Sequence, residues 1–182
     1  MSLETCIFGG TERSRSILSK RKGSDNERAV AKFFTKWVGE KFARVPMSGG
    51  LSGQWEGNRN MVGDVVPISE QSKFSFSVET KFYRNIKFGE LGKRNKVYGF
   101  WKQASQDAEL AGKFPMLIIR QNQMPAGEFI LFLDKCMDSG IGIAHVSSGI
   151  VPESKITIYG YNTTTLLEKV PYKQFLDVYL SN

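Results

Sequence analysis

Cysteine is scarce in this chain: Cys6 and Cys136 stand far apart and form no CxxC pair. They exclude a disulfide framework, and no zinc site is expected from them. An intracellular, cytoplasmic protein is the reading that follows. Histidine is scarcer still. His145, in "GIGIAHVSSG", is the single one, so a Ser/His/Asp triad would have to be built around it, and a loop or strand histidine without a catalytic role is the simpler expectation. Long apolar runs are missing as well. "MLII" and "FILFL" are too short to span a bilayer, and "MSLETCIFGG" lacks the apolar core of a secretion signal, so neither membrane association nor targeting is expected. There are no internal repeats. With 41% hydrophobic and 24% charged residues over 182 positions, the chain suits one globular domain with a core of its own.

What the chain has in excess is positive charge. Lys and Arg number 25 against 18 acidic residues, a formal net charge of +7, which favours an anionic partner such as nucleic acid. Arg13, Arg15, Lys20, Arg21 and Lys22 make residues 1–22 a basic arm, a kind of segment that stays mobile until it meets phosphate. The first helix is expected over "SDNERAVAKFFTKWVGEKF", with Ser24 as N-cap and Glu27 as its capping-box partner. Ala31, Phe34 and Val38 then repeat at helical spacing, supported by Val30 and Trp37. Glu27 falls in line with Ala31 and Phe34, so it reads equally well as an acid directed along the buried face. A short strand "ARVP", a Gly/Ser-rich loop "MSGGLSGQWEGNRNM" and two strands, "VGDVVPI" and "FSFSVETKFY", come next. A second helix fits "NKVYGFWKQASQDAELAGKF", where Val97, Trp101, Ala104, Ala108 and Ala111 form one stripe. "PMLIIRQN" and "GEFILFLDK" suit strands covered on both faces. The pattern weakens beyond Asp138, apart from a strand at "KITIYG" and a short helix around "YKQFLDVYL". The expected order is α-β-β-β-α-β-β with a C-terminal tail.

The strand at 74–83 breaks its own alternation, placing Glu79 and Lys81 on one face. If residues 70–73 form the loop of a hairpin, it centres between 71 and 72, and Asp64 faces Glu79 with Cβ atoms roughly 4.5–5.5 Å apart. Two carboxylates that close repel each other, and Val65, Val66, Phe76 and Val78 supply no compensating charge. A hard dication such as Mg²⁺, held by one or two carboxylates plus a substrate phosphate, resolves the conflict. Lys81, on the same face, would steady charge developing at that phosphate. Spacing alone has little specificity. A second triplet, "ESK" at Glu153–Lys155, also has an aspartate, Asp138, fifteen residues upstream. There Glu153 follows Pro152 and precedes its strand, and the Gly-rich stretch in between makes a poor hairpin, so strand context selects the first triplet. The run after it, "KFYRNIKFGELGKRNK", reads either as a solvated loop or as phosphate contacts through Arg84, Lys87, Lys93, Arg94 and Lys96.

Taken together, "RKGSDNERAVAKFF", "RVPMSGG", "GDVV" and "SVETKFY" resemble the PD-(D/E)XK nuclease superfamily, and within it the archaeal-type and phage-type Holliday-junction resolvases. The similarity runs in order from about Lys20 to Lys135. It implies an α/β fold with a restriction-endonuclease-like core over residues 23–135, a central mixed sheet flanked by helices, and a C-terminal extension, 136–182, packed on the same domain. By resemblance, Asp64 and Glu79 are the principal metal ligands, joined by the backbone carbonyl of Thr80, and Glu27 binds the metal directly or through water. Lys81 is the catalytic lysine, Ser48 works near the scissile phosphate, and Gln103 matches a polar residue of the second helix. The family uses Mg²⁺, with Mn²⁺ as substitute, and acts in DNA recombination and repair as homodimers that nick four-way junctions symmetrically; a phage-encoded protein acting in a bacterial host fits this resemblance. Two departures stand out: Gly63 replaces proline before the aspartate, and the loop between Ser48 and Asp64 is longer. A nuclease of duplex DNA, with Gln54, Asn58 and Arg59 reading bases, and a non-catalytic DNA-binding domain are the alternatives.

Overall fold

Val30, Ala31, Phe33, Phe34 and Trp37 are all buried, and they anchor the first helix of the computed structural model, which describes residues 12–45 and 62–182. This helix, α1 (Glu12–Val38), begins well before Ser24. The capping box expected at Ser24 and Glu27 therefore does not form, and both residues lie in the helix interior. The cause is cooperativity. Extending a helix costs far less than nucleating one, and the stretch before Ser24 is rich in Arg, Lys and Ser with no proline. Gly23 costs only about 1 kcal/mol relative to alanine. From Glu12 to Lys22 the basic arm is thus helical, with Lys20, Arg21 and Lys22 exposed. The side chains of Arg13 and Arg15 lie outside the described residues. Gly39, with φ +85°, follows the last helical residue, a backbone turn that glycine takes without strain.

Among the described residues, seven strands form one sheet in the order β1-β2-β3-β4-β5-β7-β6. They are β1 (Phe42–Arg44), β2 (Val65–Pro67), β3 (Phe76–Tyr83), β4 (Phe114–Gln121), β5 (Ile130–Leu133), β6 (Ser147–Ile150) and β7 (Thr157–Asn162). Among the described strands, only β3 and β4 pair with each other in parallel. Parallel neighbours need a crossover, and α2 (Lys96–Ala111) supplies it. Asn95 caps this helix by accepting from the Val97 N–H, and Gly112 ends it in the left-handed region. The expected stripe of Val97, Trp101, Ala104, Ala108 and Ala111 is buried throughout. Trp101 and Ala104 pack with Leu117 and Ile119 of β4 and Ile130 and Phe132 of β5.

The opposite face of the sheet carries α1 and α5 (Tyr172–Ser181). Phe34 and Trp37 meet Val65, Phe76, Val78, Met116, Ile118 and Leu131 there. Phe175 of α5 stands edge-on to Trp37 at 4.7 Å, and Tyr179 to Phe76 at 4.9 Å. The Trp37 indole N–H donates to the Val170 carbonyl at 2.8 Å, just past α4 (Thr163–Lys169). Large side chains of this kind contribute about 1.5–3 kcal/mol each on burial, so the segment after Asp138 is bound into the same core. Its remaining element is the short α3 (Asp138–Ile141). The architecture is α/β, a mixed sheet between helical layers, consistent with a restriction-endonuclease-like core. No described helix is long and apolar enough to cross a membrane.

Candidate active site

The hairpin of β2 and β3 sets the site. Val65 pairs with Val78, which is the register expected from a centre between residues 71 and 72. The connection is longer than four residues, since the strands stop at Pro67 and resume at Phe76, but it is symmetric about the same centre, so the pairing is unchanged. Alternation then divides β3. Phe76 and Val78 join the core under α1, while Glu79 and Lys81 pair alongside Leu117 and Ile119, whose side chains pack under α2.

Asp64 sits just before β2 and is held on both sides by backbone: its N–H donates to the Val78 carbonyl at 2.8 Å, and its carbonyl accepts from Val45 at 2.9 Å. Gly63 makes this approach feasible. Its φ is +111°, and a Cβ at that position would lie 2.8 Å from the Val78 oxygen. The departure from proline before the aspartate is therefore a close contact between strands that only glycine satisfies. The Asp64 carboxylate in turn accepts at Oδ2 from the Thr80 N–H at 2.8 Å and the Thr80 hydroxyl at 3.2 Å. Thr80 thus reaches the site through these two donors.

Glu79 is 5% exposed. Its Oε1 is paired with Lys81 Nζ, and that ammonium lies 5.8 Å from the centre of the Phe100 ring. Burial raises the Glu79 pKa to about 7; the Asp64 charge, and to a lesser degree Asp107, adds to the rise, and Lys81 opposes it. Lys81 cannot neutralise the group alone. Asp107 of α2 feels the same field: burial pushes its pKa up, Asp64 pushes further, and Lys81 and a hydrogen bond with Gln103 pull back. When ionised, Asp64, Glu79 and Asp107 carry three negative charges against one ammonium. An excess of buried carboxylate oxygen suits a hard dication, so the residues present fit a metal of the Mg²⁺ or Mn²⁺ kind.

The other expected residues distribute as follows. Gln103 is exposed on α2 and serves Asp107. Glu27 is tied to Arg44 of β1, whose Nε donates to Oε2 at 2.8 Å. Arg44 pairs with Val65 and so belongs on the α1 side of the sheet, whereas Asp64 and Glu79 face α2. Ser48, Gln54, Asn58 and Arg59 lie outside the described residues. Arg84, Lys87, Lys93, Arg94 and Lys96 are exposed along the connection from β3 to α2. That connection is pinned: Leu91 N–H donates to the Ser148 carbonyl at 2.7 Å, Asn95 Nδ2 to the Lys87 carbonyl at 3.0 Å, and Lys96 Nζ to the Tyr83 hydroxyl. A fixed basic edge therefore begins where β3 leaves the site.

Sequence reasoning missed Asp107. The signal was present, since Gln103 and Asp107 are one helical turn apart and share a face beside the buried alanine stripe. The second triplet behaves as its context indicates. Glu153, Ser154 and Lys155 are exposed in the turn between β6 and β7, and Asp138 is engaged elsewhere, with His145.

The family model described as "Phage putative PDDEXK endonuclease" matches residues 18–166. No curated protein and no solved structure matches the chain.

Proposed function

Because the chain belongs to the phage PD-(D/E)XK endonuclease family, a nuclease acting on DNA, we propose that it is a Mg²⁺-dependent Holliday-junction resolvase with its centre at Asp64, Glu79 and Lys81. The observation that carries the assignment of the centre is the buried Glu79, paired with Lys81 and raised by Asp64 across the hairpin. Asp64 and Glu79 would hold the cation, oriented by the Thr80 donors and by the backbone of β3. A dication bound there supplies Lewis acidity and a water of lowered pKa. Lys81 stabilises negative charge accumulating on the phosphate oxygens, from a low-dielectric position where such a contact is worth more than in water. Asp107, oriented by Gln103, would be placed on the α2 side to accept a hydrogen bond from a water held there. Glu27 is engaged by Arg44, so Asp64 and Glu79 are the ligands the geometry supports first. Substrate backbone would lie along Arg84, Lys87, Lys93 and Arg94, with the basic turns of α1 as a second contact; such contacts are independent of sequence.

The preference for junctions and the homodimer that a symmetric double nick requires rest on the four motifs between Lys20 and Lys135 that resemble resolvases. A labelled mobile four-way junction, with matched linear duplex and single strand, incubated in Mg²⁺ or EDTA, tests both substrate and chemistry. Paired nicks near the crossover, abolished by EDTA, are expected. Equal cleavage of linear duplex would keep the metal centre and remove the junction preference. Tight binding without cleavage of any substrate would overturn the assignment in favour of a binding domain.

A further inference from the structure

Outside the nuclease centre, one cluster unites three different metal-binding side chains. Ligand atoms of Cys136, Asp138 and His145 all lie within 4.8 Å of one another. The fold assembles them by a tight return of the chain. Cys136 follows β5, Asp138 opens α3, Gly142 closes that helix with φ +68°, and His145 comes just before β6. Asp138 is held firmly. Its Oδ1 accepts from the Tyr161 hydroxyl at 2.8 Å and the His145 N–H at 3.2 Å, and its Oδ2 stands 2.7 Å from His145 Nδ1. Tyr161 is fully buried beneath the cluster and accepts from the Met137 N–H at 2.7 Å. Tyr159 braces the imidazole edge-on, with ring centres 5.3 Å apart.

We propose that Cys136, Asp138 and His145 form a binding site for a borderline-soft transition-metal dication, with Zn²⁺ the best fit. Thiolate, imidazole and carboxylate are the donors that such ions take, and Mg²⁺ and Ca²⁺ do not take the first two. Bond lengths near 2.0–2.3 Å place the ligand atoms of a tetrahedral site roughly 3.3–3.7 Å apart. The observed spread therefore needs about an ångström of closure, which the exposed Cys136 side chain can provide. His145 Nδ1 and Asp138 Oδ2 stand 2.7 Å apart, so a metal taken between them would replace the proton they share, while the Tyr161 hydroxyl holds the other carboxylate oxygen. Three protein donors leave a fourth position for water. A cysteine pattern alone does not show such a site, because the second and third donors come from Asp138 and His145.

The site is separate from the nuclease centre. Glu79 pairs with Leu117, and Leu117 with Phe132, whereas Cys136 emerges beyond Leu133, past the Phe76 and Phe114 end of the sheet. The basic edge leaves from the other end, at Tyr83. A metal here would clamp the segment after β5 to the segment before β6, so its role is structural and its fate is independent of cleavage.

The test is Co²⁺ titration of the full chain under a phosphine reductant, read by absorption. A thiolate-to-cobalt charge-transfer band that saturates at one equivalent and is displaced by Zn²⁺ is expected. Cys136→Ser and His145→Ala should abolish the band and weaken Zn²⁺ binding by more than about tenfold. Cys6→Ser and Asp64→Asn should leave it intact. Absence of the band from the wild-type chain, its survival in Cys136→Ser, or its loss in Cys6→Ser would each overturn the proposal, whatever the result with DNA.

Discussion

The chain contains the E-x-K triplet twice, and the two copies have different surroundings. Glu79-Thr80-Lys81 lies inside β3 with Glu79 almost fully buried, facing Asp64 across an antiparallel pair and Asp107 from a helix. Glu153-Ser154-Lys155 lies in an exposed turn, where Lys155 takes a left-handed φ of +61°. The spacing to an upstream aspartate is the same in both. In the first copy the low-dielectric surroundings convert proximity of like charges into a raised pKa and a demand for a cation. In the second, water screens each charge separately. Burial, supplied by β2, β3 and α2 together, is what distinguishes the candidate site from the exposed copy of the same three-residue pattern.

The largest expected contrast is catalytic. Glu79→Gln or Lys81→Ala should lower single-turnover cleavage by on the order of 10²–10³-fold or more, while Glu153→Gln and Lys155→Ala stay within about twofold of wild type. Comparable losses at both triplets would break the comparison. A smaller effect sharpens it. Asp107→Asn should reduce cleavage by about 10–100-fold and raise the Mg²⁺ concentration needed for half-maximal rate, since it removes one of the charges that face the centre.

Stability supplies a third contrast, of opposite sign. The folded-state pKa of Glu79 is raised above its ordinary 4.5 to about 7, by burial first and Asp64 next. The folded protein therefore binds this proton more tightly than the unfolded chain, and the metal-free protein gains stability as pH falls from about 7 towards 4.5. Glu79→Gln in EDTA should be more stable than wild type by about 1–3 kcal/mol at pH 8 and equal to it near pH 4.5, as measured by urea denaturation. Glu153→Gln should show no such dependence. The smallest effect concerns the basic edge: Lys93→Ala with Arg94→Ala should reduce the slope of log K against log salt for DNA binding by about 2, and Lys155→Ala should leave it unchanged.

Much of this was legible in the sequence because it depends on period and register. The Val97-to-Ala111 stripe, the buried runs of β4 and β5 and the facing of Asp64 and Glu79 follow from alternation and hairpin symmetry alone. The start of α1 was not, because a good N-cap at Ser24 competes with cheap helix propagation through the preceding basic residues, and local chemistry cannot decide between them. The pairing of Glu27 with Arg44 depends on how β1 docks on α1, and the approach of Asp107 on how α2 crosses the sheet. The Cys136, Asp138 and His145 cluster needs the return of the chain through Gly142. All three are tertiary facts, and of them only Asp107 leaves a periodic trace, one turn from Gln103 on α2.

The most direct test of the central claim is Mn²⁺ binding, measured from the electron paramagnetic resonance signal of the free ion, for wild type, Asp64→Asn and Glu153→Gln. The account predicts that wild type and Glu153→Gln bind alike and that Asp64→Asn loses the site. Undiminished binding by Asp64→Asn would contradict it.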